Sequence, residues 1–126
     1  MLRRILPALI LLALPLAASA QRVRVDAHIS PATGRVGDVV ILDITVVTSG
    51  PAPESIETPS LPGGLRNTGS NDFTEYEFRL PGGRMRSTRR ELTLTTVAPG
   101  HYVIPPLAIR VDGATYRTRP LRLDVA

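Results

Sequence analysis

Four arginines fall within seven residues at 84–90, in the run RMRSTRR, the densest charge in the chain. Arg84, Arg86, Arg89 and Arg90 are therefore the candidate partner-docking residues, able to meet an acidic protein or acidic lipid headgroups. The competing use of the same charges is a solvated hairpin tip guarded against edge-to-edge pairing. Catalytic chemistry has little to work with. His28 and His101 are the two histidines, and neither His-Glu-x-x-His nor Gly-x-Ser-x-Gly occurs. A Ser/His/Asp site would need His101 to meet a distant aspartate in space, and we read His101 instead as a half-exposed strand residue. Glu75 and Glu77 share one strand face, but Arg89 and Ser87 as neighbours would turn them into a charge ladder rather than an acid–base pair. The run SNDFTE offers oxygen from Asn71, Asp72 and Glu75 without the spacing or glycine of a calcium loop. No catalytic residue, cofactor or metal site is expected.

These residues need a scaffold, and the first twenty residues are not part of it. Arg3 and Arg4 precede the apolar run ILPALILLALPLA, and Ala18, Ser19 and Ala20 supply a small-residue cleavage site. This is the layout of a secretory signal peptide, and the run is short for a membrane span. Residues 1–20 are read as the signal and 21–126 as one exported domain. The 126-residue chain less its first 20 leaves 106, enough for a core to suffice without disulfides, and there is no cysteine.

All 15 basic residues are arginine, and two lie in the signal. The remaining 13 face 11 acidic residues, a net charge of +2, and most alternate with acids and apolar residues. The aromatics are only Phe73, Tyr76, Phe78, Tyr102 and Tyr116. A nucleic-acid binder would gather its charge on one face or interleave it with stacking rings, so no nucleic-acid partner is expected.

Apolar residues recur with period two through nearly all of the chain after the signal, and no segment carries a convincing helical period. VRVDAHI places Val23, Val25, Ala27 and Ile29 on one face. After a turn in which Gly37 supplies a positive φ, VVILDITVV turns Val40, Leu42, Ile44 and Val46 inward. Residues 49–64 are rich in Pro, Gly and Ser and read as a long connection with at most a short strand near 55–58. The next hairpin is expected to turn through three residues, 81–83, which sets Glu75 opposite Arg89 and puts Tyr76 and Phe78 on the face of Leu92 and Leu94. Asp112-Gly113 marks a two-residue turn pairing Val111 with Ala114 and Ile109 with Tyr116.

Short strands, frequent turn signals and no helix predict an all-β fold, an antiparallel immunoglobulin-like β-sandwich of about seven strands. In that frame Tyr102, just after Pro99-Gly100, sits where a tyrosine corner would fall. Pro105 and Pro106 cannot donate to a ladder, so they mark a kink where the chain leaves it. A polyproline docking segment is the alternative use of that pair.

The runs RVGDVVILDITV and APGHYVIPPLAIRVDGATYRTRPLRLDV together resemble the BatD-type aerotolerance, or oxygen tolerance, family over residues 23–126. The match lies in a Gly-Asp turn before an apolar strand, Pro-Gly-x-Tyr, Ile-Pro-Pro, and Val-Asp-Gly followed by Tyr-x-Thr-x-Pro. The resemblance implies an exported envelope protein of β-sandwich modules with a non-enzymatic scaffold or binding role in envelope stress or complex assembly. It implies an envelope protein partner, von Willebrand-type membrane proteins among the candidates. This sequence differs in holding one module and no apolar stretch after the signal, so any membrane association is expected to be peripheral. A small structural or carbohydrate-binding sandwich is the alternative function, disfavoured by the absence of Trp.

Overall fold

A computed structural model describes residues 22–81 and 83–126, excluding the side chains of 74–76, 78 and 80. The expected signal peptide, and the facing of Tyr76 and Phe78, lie outside these described residues. The described chain is all strand and turn. β1 (Val23–Ser30), β2 (Thr33–Gly34), β3 (Val39–Thr48), β4 (Ser55–Ile56), β5 (Leu65–Leu80) and β6 (Gly83–Thr96) come first. β7 (Gly100–Ile104), β8 (Ala108–Val111), β9 (Ala114–Arg117) and β10 (Leu121–Val125) complete the fold.

One layer is the four-stranded sheet β1-β3-β6-β5, and the other is made of two three-stranded sheets, β2-β10-β7 and β4-β8-β9. All pairings are antiparallel except β2 with β10, which run parallel. Period-two alternation builds the core directly. On β3, Val40, Leu42, Ile44 and Val46 are fully buried, and they meet Ile104, Leu107, Ile109, Val111 and Leu123 from the second layer.

The adjacent prolines mark the change of sheet. β7 pairs with β10 as far as Ile104 with Leu121, and β8 resumes in the same register with β9 at Ala108 with Arg117. Residues 100–125 are thus one long hairpin, bent between its two halves, whose halves belong to different sheets. Pro105, Pro106 and Pro120 all fall in the unpaired gap, where a missing N–H costs no ladder bond. Thr118 bridges the gap. Its buried side-chain Oγ1 accepts from Leu107 N at 2.9 Å, and its own N–H donates to Leu107 O at 3.0 Å. The tip is the expected turn, with Asp112 at φ 49° and Gly113 at φ 81°, both in the left-handed region that a primed two-residue turn requires.

The β5–β6 hairpin departs from expectation. Leu80 pairs with Gly83, so two residues separate the strands rather than three. A register irregularity between Thr74 and Glu77 then moves β5 by one more residue, and Phe73, not Glu75, lies opposite Arg89. Because the two displacements together amount to an even number, the faces of residues 69–74 are as alternation predicts although every partner has moved.

Candidate functional site

Strand β6 carries the arginine run, and its faces are fixed by β3. Arg86, Thr88 and Arg90 align with Thr48, Val46 and Ile44 on the core side, while Arg89 aligns with Thr45 on the outer side. Each arginine has an acidic partner. Arg90 Nε donates to Asp72 Oδ1 at 2.7 Å and Nη2 to Oδ2 at 3.3 Å, and Nη1 reaches across to Ile56 O on β4 at 2.8 Å. That guanidinium ties the two layers together, and its side chain is only 24% exposed. Arg89 pairs with Asp43 at 3.2 Å and Glu91 at 3.4 Å, and its Cζ lies 5.8 Å from the centre of the Phe73 ring. Arg84 and Arg86 share Glu77, at 3.4 and 3.1 Å. The sequence sets Glu75 opposite Arg89 and Glu77 beside Ser87, and pairs neither Asp43 nor Asp72 with an arginine. The signal for both was parity on neighbouring strands, which shows only once register is known.

A cleft of about 200 Å³ opens between β4 and the hairpin, lined by Pro53, Ser55, Ile56, Phe73 and Thr88 with the Asp72–Arg90 pair. Thr88 Oγ1 is buried there with no hydrogen-bond partner among the described residues. The charges in its wall already neutralise one another. The Arg90 hydrogen bond holds the Asp72 carboxyl below its usual value, against the opposing effect of burial and with some help from the Arg90 charge. A carboxyl lowered on folding stabilises above its unfolded pKa, and that contribution is lost as pH falls through the lowered value. Asp72→Asn is therefore expected to flatten the acid limb of the stability curve by about 0.2–1 kcal/mol, the range of exposed pairs. Denaturant midpoints from neutral to acid pH check this, and an acid limb unchanged by the substitution would contradict it.

The other chemical candidates separate. Asn71 aligns with Glu91 on the outer face and Asp72 with Arg90 on the inner, so SNDFTE is strand and the oxygens of those two diverge, while the Glu75 side chain lies outside the described residues. Among the described residues no group of three His, Cys, Asp or Glu could hold a metal ion. His101 does meet an aspartate, with Nδ1 2.7 Å from Asp124 Oδ1, and its side chain is 91% exposed rather than half-exposed. The row of partners runs His101, Asp124, Thr33, which puts the carboxylate between imidazole and hydroxyl. A triad needs the imidazole in the middle, so this row cannot relay a proton from Thr33 to His101.

The residues singled out for structure hold the ends of the sandwich. Gly37 has φ 96° and donates to Thr96 O at 2.8 Å. Tyr102 makes the corner: its hydroxyl donates to Ala98 O at 2.6 Å and lies 3.2 Å from Pro99 O. Gly64 packs against that phenol, and a Cβ there would overlap the hydroxyl oxygen.

Two layers of strands over one core, with a tyrosine corner, define an immunoglobulin-like β-sandwich. A solved structure similar to it is a non-cellulosomal cohesin from the hyperthermophilic archaeon Archaeoglobus fulgidus, with a TM-score of 0.47 and 11% identity over 83% of this chain and 91% of that one. Among curated proteins none matches. The chain belongs to the BatD family, whose profile, described as a BatD DUF11 like domain, matches residues 27–125. No helix of the described residues is long and apolar enough to cross a membrane.

Proposed function

We propose that the protein is an exported, non-enzymatic module that binds another protein of the bacterial cell envelope, in stress tolerance or in assembly of an envelope complex. The observation that carries this reading is the pairing of its chemical groups. The arginines of the hairpin, Asp72 and His101 are each engaged by a neighbour. A chain of this kind offers surfaces rather than a reaction centre. BatD membership supports an envelope role, with von Willebrand-type membrane proteins as the first partners to examine. Export rests on the charge, apolar run and small residues at 3–20, and membrane contact is peripheral in this reading.

The test uses the protein purified from the envelope fraction of cells that make it. Its mass should correspond to a chain beginning at Gln21. Immobilised, it should retain a specific envelope protein that free protein displaces. Recovery of the intact 126-residue chain would overturn the cleavage, and the absence of any displaceable partner would overturn the binding role.

A further inference from the structure

Several described arginines have no side-chain partner, and three of them gather at one place in the fold. Among the described residues, the guanidinium groups of Arg117, Arg119 and Arg122 make no ion pair or hydrogen bond, and all three side chains are on exposed residues. They flank the bend of the long hairpin. Arg117 ends β9 opposite Ala108, Arg122 lies on β10 opposite Val103, and Arg119 is in the unpaired gap between them. Burial of Thr118 and Leu123 on the inner side turns their neighbours Arg117, Arg119 and Arg122 outward. Glu54 and Glu57 beside β8 and Asp124 on β10 are already engaged: Glu57 accepts from Ala108 N, Glu54 pairs with Arg110, and Asp124 pairs with His101.

Between these arginines the surface is apolar and stiff. Val103 is 51% exposed, and Pro105, Pro106 and Pro120 are exposed beside it. We infer that this bend is the docking surface, and that it takes a protein segment carrying carboxylates beside small apolar side chains. The inference rests on the binding role proposed above and names the surface that performs it. Three uncompensated guanidinium groups select an anionic partner and favour carboxylates they can fork. An apolar centre rimmed by arginine is the pattern of protein interfaces. Insertion into a lipid surface draws on tryptophan, phenylalanine or leucine, and none is among the exposed residues of this patch. The rigid prolines lose little freedom on binding, which favours a preformed surface.

The probe is a short labelled peptide alternating glutamate and valine, read by fluorescence anisotropy at low and at physiological salt. Its glutamine counterpart and anionic phosphatidylglycerol vesicles are run in parallel. Arg117→Ser, Arg119→Ser and Arg122→Ser combined should weaken glutamate-peptide binding about tenfold, the sum of three exposed charge contacts. Arg84→Ser with Arg86→Ser should leave it unchanged. Added salt should mimic the triple change, because exposed attraction is screened within about 8 Å at physiological ionic strength. If the triple variant does not fold, Arg119→Ser and Arg122→Ser alone should each cost roughly twofold.

Equal binding by wild type and triple variant, equal binding of the glutamine peptide, or capture of vesicles without the peptide would each overturn the inference. The two proposals fail differently. An envelope partner retained equally by wild type and triple variant removes this surface and leaves the binding role standing, whereas no retained partner removes the role itself.

Discussion

Leu42→Ala should lower unfolding free energy by about 2–5 kcal/mol, the cost of a core cavity that neighbours cannot fill. Leu42 is fully buried at the centre of β3, with Ile29 beside it on β1 and Leu92 on β6. All three point into the apolar core shared by both layers, so collapse around the missing isobutyl group is restricted from every side. In a domain of this size the change corresponds to a fall in Tm of roughly 4–8 °C per kcal/mol. Urea denaturation is the check, with the midpoint moving and the slope constant. A midpoint equal to wild type would mean that the inward face of β3 is wrongly assigned.

Gly64→Ala should cost about 2–3 kcal/mol for a different reason. The added methyl would occupy the place of the Tyr102 hydroxyl, and neither group has an easy retreat. Gly64 O is held by Val97 N at 2.9 Å, and the phenol by Ala98 O. Overpacking of this kind costs about 1–3 kcal/mol, and loss of the corner hydrogen bond adds about 1. Gly64→Ala and Tyr102→Phe would both remove that one hydrogen bond, so the two substitutions should not be additive. Tyr102→Phe alone should cost about 1 kcal/mol, and the double variant should be distinctly more stable than the sum of the singles. A double variant equal to that sum would show that the methyl is accommodated without displacing the phenol.

How far the residues alone disclosed this architecture depends on the range of the interaction. Alternation in VVILDITVV depends on nothing beyond the strand itself, and Val40, Leu42, Ile44 and Val46 are buried as read. Asp112-Gly113 carries its own turn chemistry, and the pairs Val111 with Ala114 and Ile109 with Tyr116 follow from it. The tyrosine corner was legible because Tyr102 reaches only to Ala98 and Pro99. Pro105 and Pro106 announced a break in the ladder, but not that the chain changes sheets there.

The β5–β6 hairpin resisted because its register depends on three separate one-residue decisions, at the turn, between Thr74 and Glu77, and between Asn67 and Gly69. None leaves a mark in composition. The same uncertainty hid the Asp72–Arg90 pair, since partners across a sheet follow register rather than spacing. Density of charge was a poor guide to free charge. RMRSTRR holds four arginines that find acids on adjoining strands, while the sparser YRTRPLR holds three that find none.

The central claim is that this sandwich acts by binding a protein and performs no chemistry on it. Equilibrium titration of the retained envelope partner against the purified protein, followed by mass measurement of both, tests that claim most directly. The account predicts saturation at a fixed ratio, with the masses of both proteins unchanged after release. A partner that emerges cleaved or modified, or that never saturates the protein, would contradict it.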